Sequence, residues 1–380
     1  MANLDLTGAQ VLGPDGMRDQ TLSFADGVIV DAPVGRCVNL NGFMVLPGII
    51  DVHGDAFERH LAPRRGAMKQ INEGLIAAEV ELAANGITTA VLAQFVSWEG
   101  GLRGLEFADQ VFQAIRATNP TLVTDLRAQL RFETHLLDQY ADLPARLKAW
   151  DVSYVVFNDH LPHDRLAAGK MPKRMVGQAL KAGRNPDAHH ALMQDLHARR
   201  DDVPSALDQL CKELQASGVH MGSHDDQTAE QRAAWRARGV TIAEFPETHD
   251  AAEAACDAGD AVIMGAPNVV RGGSHNGNLS ALDLISMGVC DALASDYHYP
   301  SPRRAALMLA DAGVVDLAQA WPLISSGPAA VLGLADRGEL RAGLRADFVV
   351  LDAKTRRVAA TFVQGRASYI SGDIADRLMS

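Results

Sequence analysis

VLPGIIDVHGDAFE, residues 45–58, is the stretch whose reading decides the architecture. An apolar run over 45–52 ends abruptly in His53, Gly54 and Asp55, with Glu58 close behind. The run does not alternate apolar with polar, so it reads as a strand buried on both faces, as in a parallel sheet. His53 and Asp55 stand two apart at the strand end, so their side chains point to one side and can reach one cation. Gly54 lets an ion approach the backbone.

Working outward, the same pattern recurs. Short apolar runs at 87–93, 127–132, 152–157, 219–223, 240–245, 261–265 and 292–295 are strand candidates, with helical stretches between most of them. The clearest helices are 74–84 and 105–117, where apolar residues fall three and four apart. Eight strands alternating with helices predict an α/β fold, a (β/α)8 TIM barrel over residues 46–339. The ends differ. Runs at 9–12 and 27–30 flank the turn signal Gly13-Pro14-Asp15-Gly16, and runs at 347–351 and 358–363 lie near the other end. They predict a small β-sandwich domain built from both termini, residues 1–45 plus 340–380. The gap between the runs at 152–157 and 219–223 exceeds one ordinary helix. It carries Lys170, Lys173, Arg174, Lys181 and Arg184, which read as a flexible lid or as a solvated helix face.

In such barrels chemistry gathers where strands end, at the C-terminal face. The residues that follow the runs are His53 and Asp55; Glu133 and His135; Asn158, Asp159 and His160; His224, Asp225 and Asp226; Glu244 and Glu247; Asn268, Arg271 and His275; and Asp296 and His298. One such residue alone is most simply a core or capping group. Seven strand ends of eight carrying His, Asp or Glu are a different matter. Carboxylates packed together without a cation repel and are driven toward protonation. A divalent metal, one ion or two, removes that penalty, and mixed imidazole and carboxylate donors suit zinc first, then manganese or iron, over calcium.

Composition narrows the partners. The chain has 380 residues and a formal charge of −12, with 47 acidic against 35 basic residues, a balance that argues against nucleic acid and against anionic membranes. A small anionic substrate remains compatible, because a local arginine cluster overrides the global sign. No apolar run reaches the roughly 18 residues of a membrane span. The first residues lack the basic start and apolar stretch of a secretion signal, so a cytoplasmic location is expected. Cys37, Cys211, Cys256 and Cys290 form no CxxC pair and read as reduced thiols. The phosphate loop GxxxxGK[ST] does not occur.

LPGIIDVHGD (46–55) resembles the opening signature of the amidohydrolase superfamily, GITTAVLA (86–93) its second strand, and SSGPAAVLGLADRGELRAGLRADFVVLD (325–352) its return into the small β-domain. HGDAFERHLAPR (53–64), SHDD (223–226), GAPNVVRGGSHNGNLSA (265–281) and SDYHYPS (295–301) are similar to the phosphonate-utilisation branch of that superfamily, the α-D-ribose 1-methylphosphonate 5-triphosphate diphosphatases. The branch more often reads HTDNLE where this chain reads HGDAFE.

The resemblance implies metal ligation by His53 and Asp55. It implies Glu133 as a bridging carboxylate, His160 and His224 as imidazole ligands, and Asp296 as both ligand and general base. The superfamily takes its two imidazoles from the fifth and sixth strands, whereas here they follow the fourth and fifth. Simpler readings stand beside these: a salt bridge from Glu133 to Arg131 or Arg127, and a helix N-cap for Asp296. Asn268, Arg271 and His275, set among glycines, have the ingredients of an anion cradle, and Arg64 and Arg65 of a clamp on outer phosphates. The implied reaction is hydrolysis of a phosphoanhydride by a metal-activated water, releasing pyrophosphate from a ribosyl triphosphate. The alternative keeps the metal but attacks carbon in a small amide, N-acyl or cyclic amide substrate. A third reading is a non-catalytic scaffold, which would be expected to lose ligands. Superfamily membership also implies a homodimer or larger homo-oligomer.

Overall fold

The computed structural model describes residues 3–62, 70–273 and 279–379. Among the described residues seven strands precede the barrel: β1 (Leu4–Thr7), β2 (Gln10–Gly13), β3 (Gly16–Asp19), β4 (Leu22–Ala25), β5 (Val28–Val30), β6 (Cys37–Asn39) and β7 (Phe43–Pro47). The barrel strands are β8 (Ile49–Gly54), β9 (Ile87–Val96), β10 (Asp125–Glu133), β11 (Tyr154–Asn158), β12 (His220–His224), β13 (Ile242–Glu244), β14 (Ala261–Gly265) and β15 (Ala292–Ala294). They form one eight-stranded sheet in chain order, with helices in the connections, and a bridge between Gly54 and Asp296 joins the first strand to the residue after the last. This is the (β/α)8 barrel. Among the described residues no helix is long and apolar enough to cross a membrane.

β16 (Phe348–Asp352), β17 (Val358–Val363) and β18 (Arg366–Ile370) return to the N-terminal strands. The two terminal sheets run β5-β4-β1-β6 and β18-β17-β16-β7-β2-β3. β7 pairs antiparallel with β16, Val45 opposite Val350. Leu4, Leu6, Phe24, Val45, Phe348 and Phe362 are buried in their shared core. The Phe348 and Phe362 rings stack with centroids 4.6 Å apart. Each such side chain, fully buried, contributes about 1.5–3 kcal/mol.

The apolar run at 45–52 is two strands, not one. β7 belongs to the terminal sheet and β8 to the barrel, with only Gly48 between them. Pro47 brings no N–H to a ladder. Gly48 N–H donates to Asp347 O at 2.9 Å, and a Cβ on Gly48 would lie 2.4 Å from Thr88 Oγ1. Only glycine fits where the chain changes sheets. Uninterrupted hydrophobicity hides this break, because both strands are buried throughout.

The chain divides into two compact units: Met1–Leu92 with Ala117–Arg127 and Ala261–Ser380, and Ala93–Arg116 with Ala128–Asp260. In the second unit, the long segment before β12 is helical at His163–Ala167, Met175–Lys181, Pro186–Ala198 and Val203–Ala216. The basic stretch is solvated but forms no single helix face: Lys170, Lys173 and Arg174 lie between helices, and only Lys181 lies on one. Met175 and Ala179 are buried, while Lys170, Lys173, Arg174 and Lys181 are exposed. Arg184 turns back and donates to Trp98 O.

Candidate active site

In the first unit the site grows from the end of β8. Asp51 and His53 are fully buried, and Asp55 is half-buried. Asp51 accepts from Ser295 N at 2.8 Å and Ser295 Oγ at 2.5 Å. Burial still pushes its carboxyl above the ordinary carboxylate range. Asp51 thus stitches the first barrel strand to the end of the last. A Cβ on Gly54 would lie 2.6 Å from Asp51 Oδ2, so no side chain fits at that position.

Asp296 follows β15 directly. Its N–H donates to His53 O at 2.9 Å, and Asp55 N–H donates to Asp296 O at 3.0 Å. Its φ is 55°, a left-handed conformation that Asp tolerates better than most residues but which still costs about 1–2 kcal/mol. Such strain concentrates at functional sites. The helix that follows starts at Ser301 with Pro300 as its N-cap, so Asp296 caps no helix. One ligand atom from each of His53, Asp55 and Asp296 lies within 4.8 Å of the other two. One imidazole and two carboxylates at that spacing fit a divalent transition metal: the donors are right, and the cation offsets the mutual repulsion of Asp55 and Asp296.

Arg271 ends the helix Ala266–Arg271 and donates to the Tyr297 hydroxyl; its guanidinium carbon lies 5.9 Å from the Tyr297 ring centre. Tyr297 is the residue after Asp296. The Asn268 amide spans its own loop, donating to Leu279 O at 3.0 Å and accepting from Ala281 N at 3.2 Å.

The second unit holds its own polar constellation at the ends of β10–β13. Gln129, Arg131 and Glu133 alternate along β10 and share one face. All three are buried, as are Asn158 and Glu244. The parallel register sets Glu133 beside Asn158 and His224 beside Glu244. Glu244 accepts from Gln129 Nε2 at 2.7 Å and from the Tyr154 hydroxyl at 2.5 Å. Burial, with the Glu244 charge adding to it, holds that phenol far above its ordinary pKa. Glu133 Oε2 accepts from His160 N–H at 3.1 Å, and its other oxygen meets His160 Nδ1. Burial works to lower the His160 pKa, but the Glu133 carboxylate outweighs it and raises it. Arg131 donates to Asn158 Oδ1 at 3.0 Å and to His224 Nε2 at 2.9 Å. Because arginine only donates, His224 Nε2 must present its lone pair. The proton then belongs on Nδ1, which lies 2.9 Å from Asp225 Oδ2. Asp225 and Phe245 follow β12 and β13 with φ of 60° and 54°, the same left-handed device as Asp296.

The structure therefore brings His53, Asp55 and Asp296 together in one unit, and pairs Glu133 with His160 in the other. His224 stands on Arg131. The salt bridge read for Glu133 goes elsewhere: Arg127 meets Asp125 at 3.3 Å, and Arg131 serves Asn158 and His224. The fifth strand closes on His224, as counted, and the sixth on Glu244 instead of an imidazole. Arg64, Arg65 and His275 lie outside the described residues. The SHDD motif divides, since Asp226 turns onto buried Arg232 at 3.1 Å and serves packing. Sequence reasoning passed over Gln129, Tyr154 and the use of Arg131. Their signal was present, as polar side chains two apart along an otherwise buried strand.

Residues 44–368 match the amidohydrolase family. The chain is 33% identical over 329 residues to the α-D-ribose 1-methylphosphonate 5-triphosphate diphosphatase of Escherichia coli (strain K12), covering 83% of this chain and 85% of that one. Among solved structures it is similar in fold to the N-acyl-D-glutamate deacylase of Bordetella bronchiseptica, with a TM-score of 0.61, 15% identity, and 97% and 96% of the two chains covered. It is also similar to the N-acetylglucosamine-6-phosphate deacetylase of Pasteurella multocida, with a TM-score of 0.63, 11% identity, and 96% and 99% covered. Barrel, terminal sheets and sequence agree: the chain belongs to the amidohydrolase family of hydrolases.

Proposed function

We propose that the protein hydrolyses the 5-triphosphate of α-D-ribose 1-methylphosphonate and releases pyrophosphate. The observation that carries this choice is the 33% identity over 83% of the chain to a protein named for that substrate. Arg271, tied to the residue after Asp296, supports it by offering positive charge suited to phosphate oxygens.

In this reading His53, Asp55 and Asp296 hold a divalent ion, with zinc the first choice, and Glu133, His160 and His224 are further ligands. When bound, such an ion supplies Lewis acidity and makes a coordinated water more acidic. Asp296 accepts the proton of the attacking water. Its main chain is fixed by the bonds to His53 and Asp55. The water oxygen bonds to the phosphorus next to the ribose, and the bond from that phosphorus to the bridging oxygen breaks. The electron pair leaves with pyrophosphate, and the sugar keeps one phosphate. Arg271 offsets charge gathering on the phosphate oxygens.

The test is to incubate the metal-loaded protein with the ribosyl triphosphate and, separately, with panels of N-acyl and cyclic amide compounds. Pyrophosphate from the first supports the reading. Ammonia or new carboxylate from the panels, with no pyrophosphate, overturns it in favour of attack at carbon.

A further inference from the structure

The second unit contains a group of side chains that the reading above leaves unused. His135 follows β10, Asp159 follows β11, and His163 opens the helix His163–Ala167. His135 Nε2 and His163 Nε2 face each other at 3.1 Å. Asp159 Oδ2 lies 3.2 Å from the first and 3.1 Å from the second.

Protons alone satisfy this triangle poorly. If each ring donates to the Asp159 carboxylate, both nitrogens carry hydrogen and the contact between them sets one N–H against the other. If one ring gives its proton to its neighbour, the carboxylate faces a bare lone pair. A cation at the centre removes the conflict, because all three atoms then act as lone-pair donors. The dimensions agree. Zinc with ligands at about 2.0–2.1 Å has tetrahedral edges of roughly 3.3 Å, close to the three separations seen here.

The surroundings point the same way. His163 Nδ1 lies 2.8 Å from His197 Nδ1, the outer contact that fixes the tautomer of a metal-bound imidazole. His135 is buried, and its Nδ1 has no hydrogen-bond partner among the described residues, so its polar interactions fall to Nε2. All three residues line a cavity of about 590 Å³.

The geometry points to a second divalent metal site formed by His135, Asp159 and His163, sharing no residue with the ligand set assigned above. Two imidazoles and one carboxylate select a transition metal such as zinc or cobalt over magnesium or calcium. Three protein ligands leave a fourth position for water or an anionic oxygen from the cavity. The site does not depend on the substrate proposed above, since a chain acting on amides would bind the ion equally well.

The full-length protein, stripped with a chelator, is titrated with Co²⁺ and followed by its visible absorption and by metal content. His163→Asn and His135→Asn should each bind one equivalent fewer than the unaltered chain. His53→Asn should keep the equivalent that they lose. His163→Asn and His135→Asn that bind as many equivalents as the unaltered chain overturn the site. A second measurement guards against variants that fail to fold: carbethoxylation of His163 in the unaltered protein, read by mass spectrometry with and without Zn²⁺. His163 is 30% exposed and so open to the reagent. Zinc should slow its modification at least tenfold, and an unchanged rate overturns the proposal.

Discussion

Replacing Asp296 by Asn separates chemistry from architecture at the most constrained residue of the site. The amide matches the carboxylate in shape, and Asn is among the few residues that enter the left-handed region readily, so the φ of 55° survives. The bonds that hold this turn, Asp296 N–H to His53 O and Asp55 N–H to Asp296 O, belong to the backbone and persist. Thermal stability should therefore stay within about 0.5 kcal/mol of the unaltered protein, as for substitutions that disturb no packing. What disappears is a proton acceptor. General base catalysis is worth roughly 10²–10⁴-fold, or about 3–5 kcal/mol of barrier. Pyrophosphate release at saturating ribosyl triphosphate should fall by that factor. Because Asp296 is also a proposed ligand, the assay is run at saturating Zn²⁺ with metal content measured on the same samples. Turnover within tenfold of normal at matched metal content would remove Asp296 as the base. Asp296→Ala, which adds strain in the same backbone, should lose stability as well as turnover.

Arg271→Gln should raise KM for the triphosphate at least tenfold while leaving the metal content unchanged, and an unaltered KM would detach Arg271 from phosphate recognition. Arg232→Ala takes the only guanidinium paired with buried Asp226, at 3.1 Å, among the described residues and leaves Asp260 to Arg236 alone; the loss should be about 3–5 kcal/mol in a denaturant titration. Asp125 gives a pH signature. Burial opposes its charge, but Arg127, Arg337 and Arg345 outweigh burial and hold its carboxyl below the ordinary value of 3.8. A lowered folded-state pKa contributes stability above the unfolded value, and that contribution drains away as pH falls through the folded one. The melting temperature of Arg337→Gln should therefore depend less steeply on pH below about 4 than that of the unaltered protein.

Much of the fold was legible because hydrophobicity and strand length go together in a parallel sheet. The run at 261–265 matches β14 residue for residue, and 358–363 matches β17. Resolution was lost where two buried strands meet end to end, as at Gly48, since burial on both sides leaves no polar mark. At the candidate site, His53, Asp55 and Asp296 could be picked out because each stands at the edge of an apolar run. Gln129 and Arg131 could not, because they lie within a strand whose polar face shows only once its neighbours are known. His163 was missed for another reason. It sits on a short helix four residues after Asp159, but His135 follows a different strand, and nothing along the chain brings that third residue to the pair.

The pairing of β7 with β16 has a consequence for how the chain is made. Val45 leaves the ribosome some 300 residues before Val350, its opposite number. At 5–20 residues per second the wait is on the order of 15–60 s. Throughout it one edge of β7 has no native neighbour, and β8, with His53, begins two residues further on. The nascent protein must carry an apolar, adhesive edge until β16 emerges, which exposes it to mispairing with other chains and ties the finishing of the sheet beside its first barrel strand to a segment made some 300 residues later.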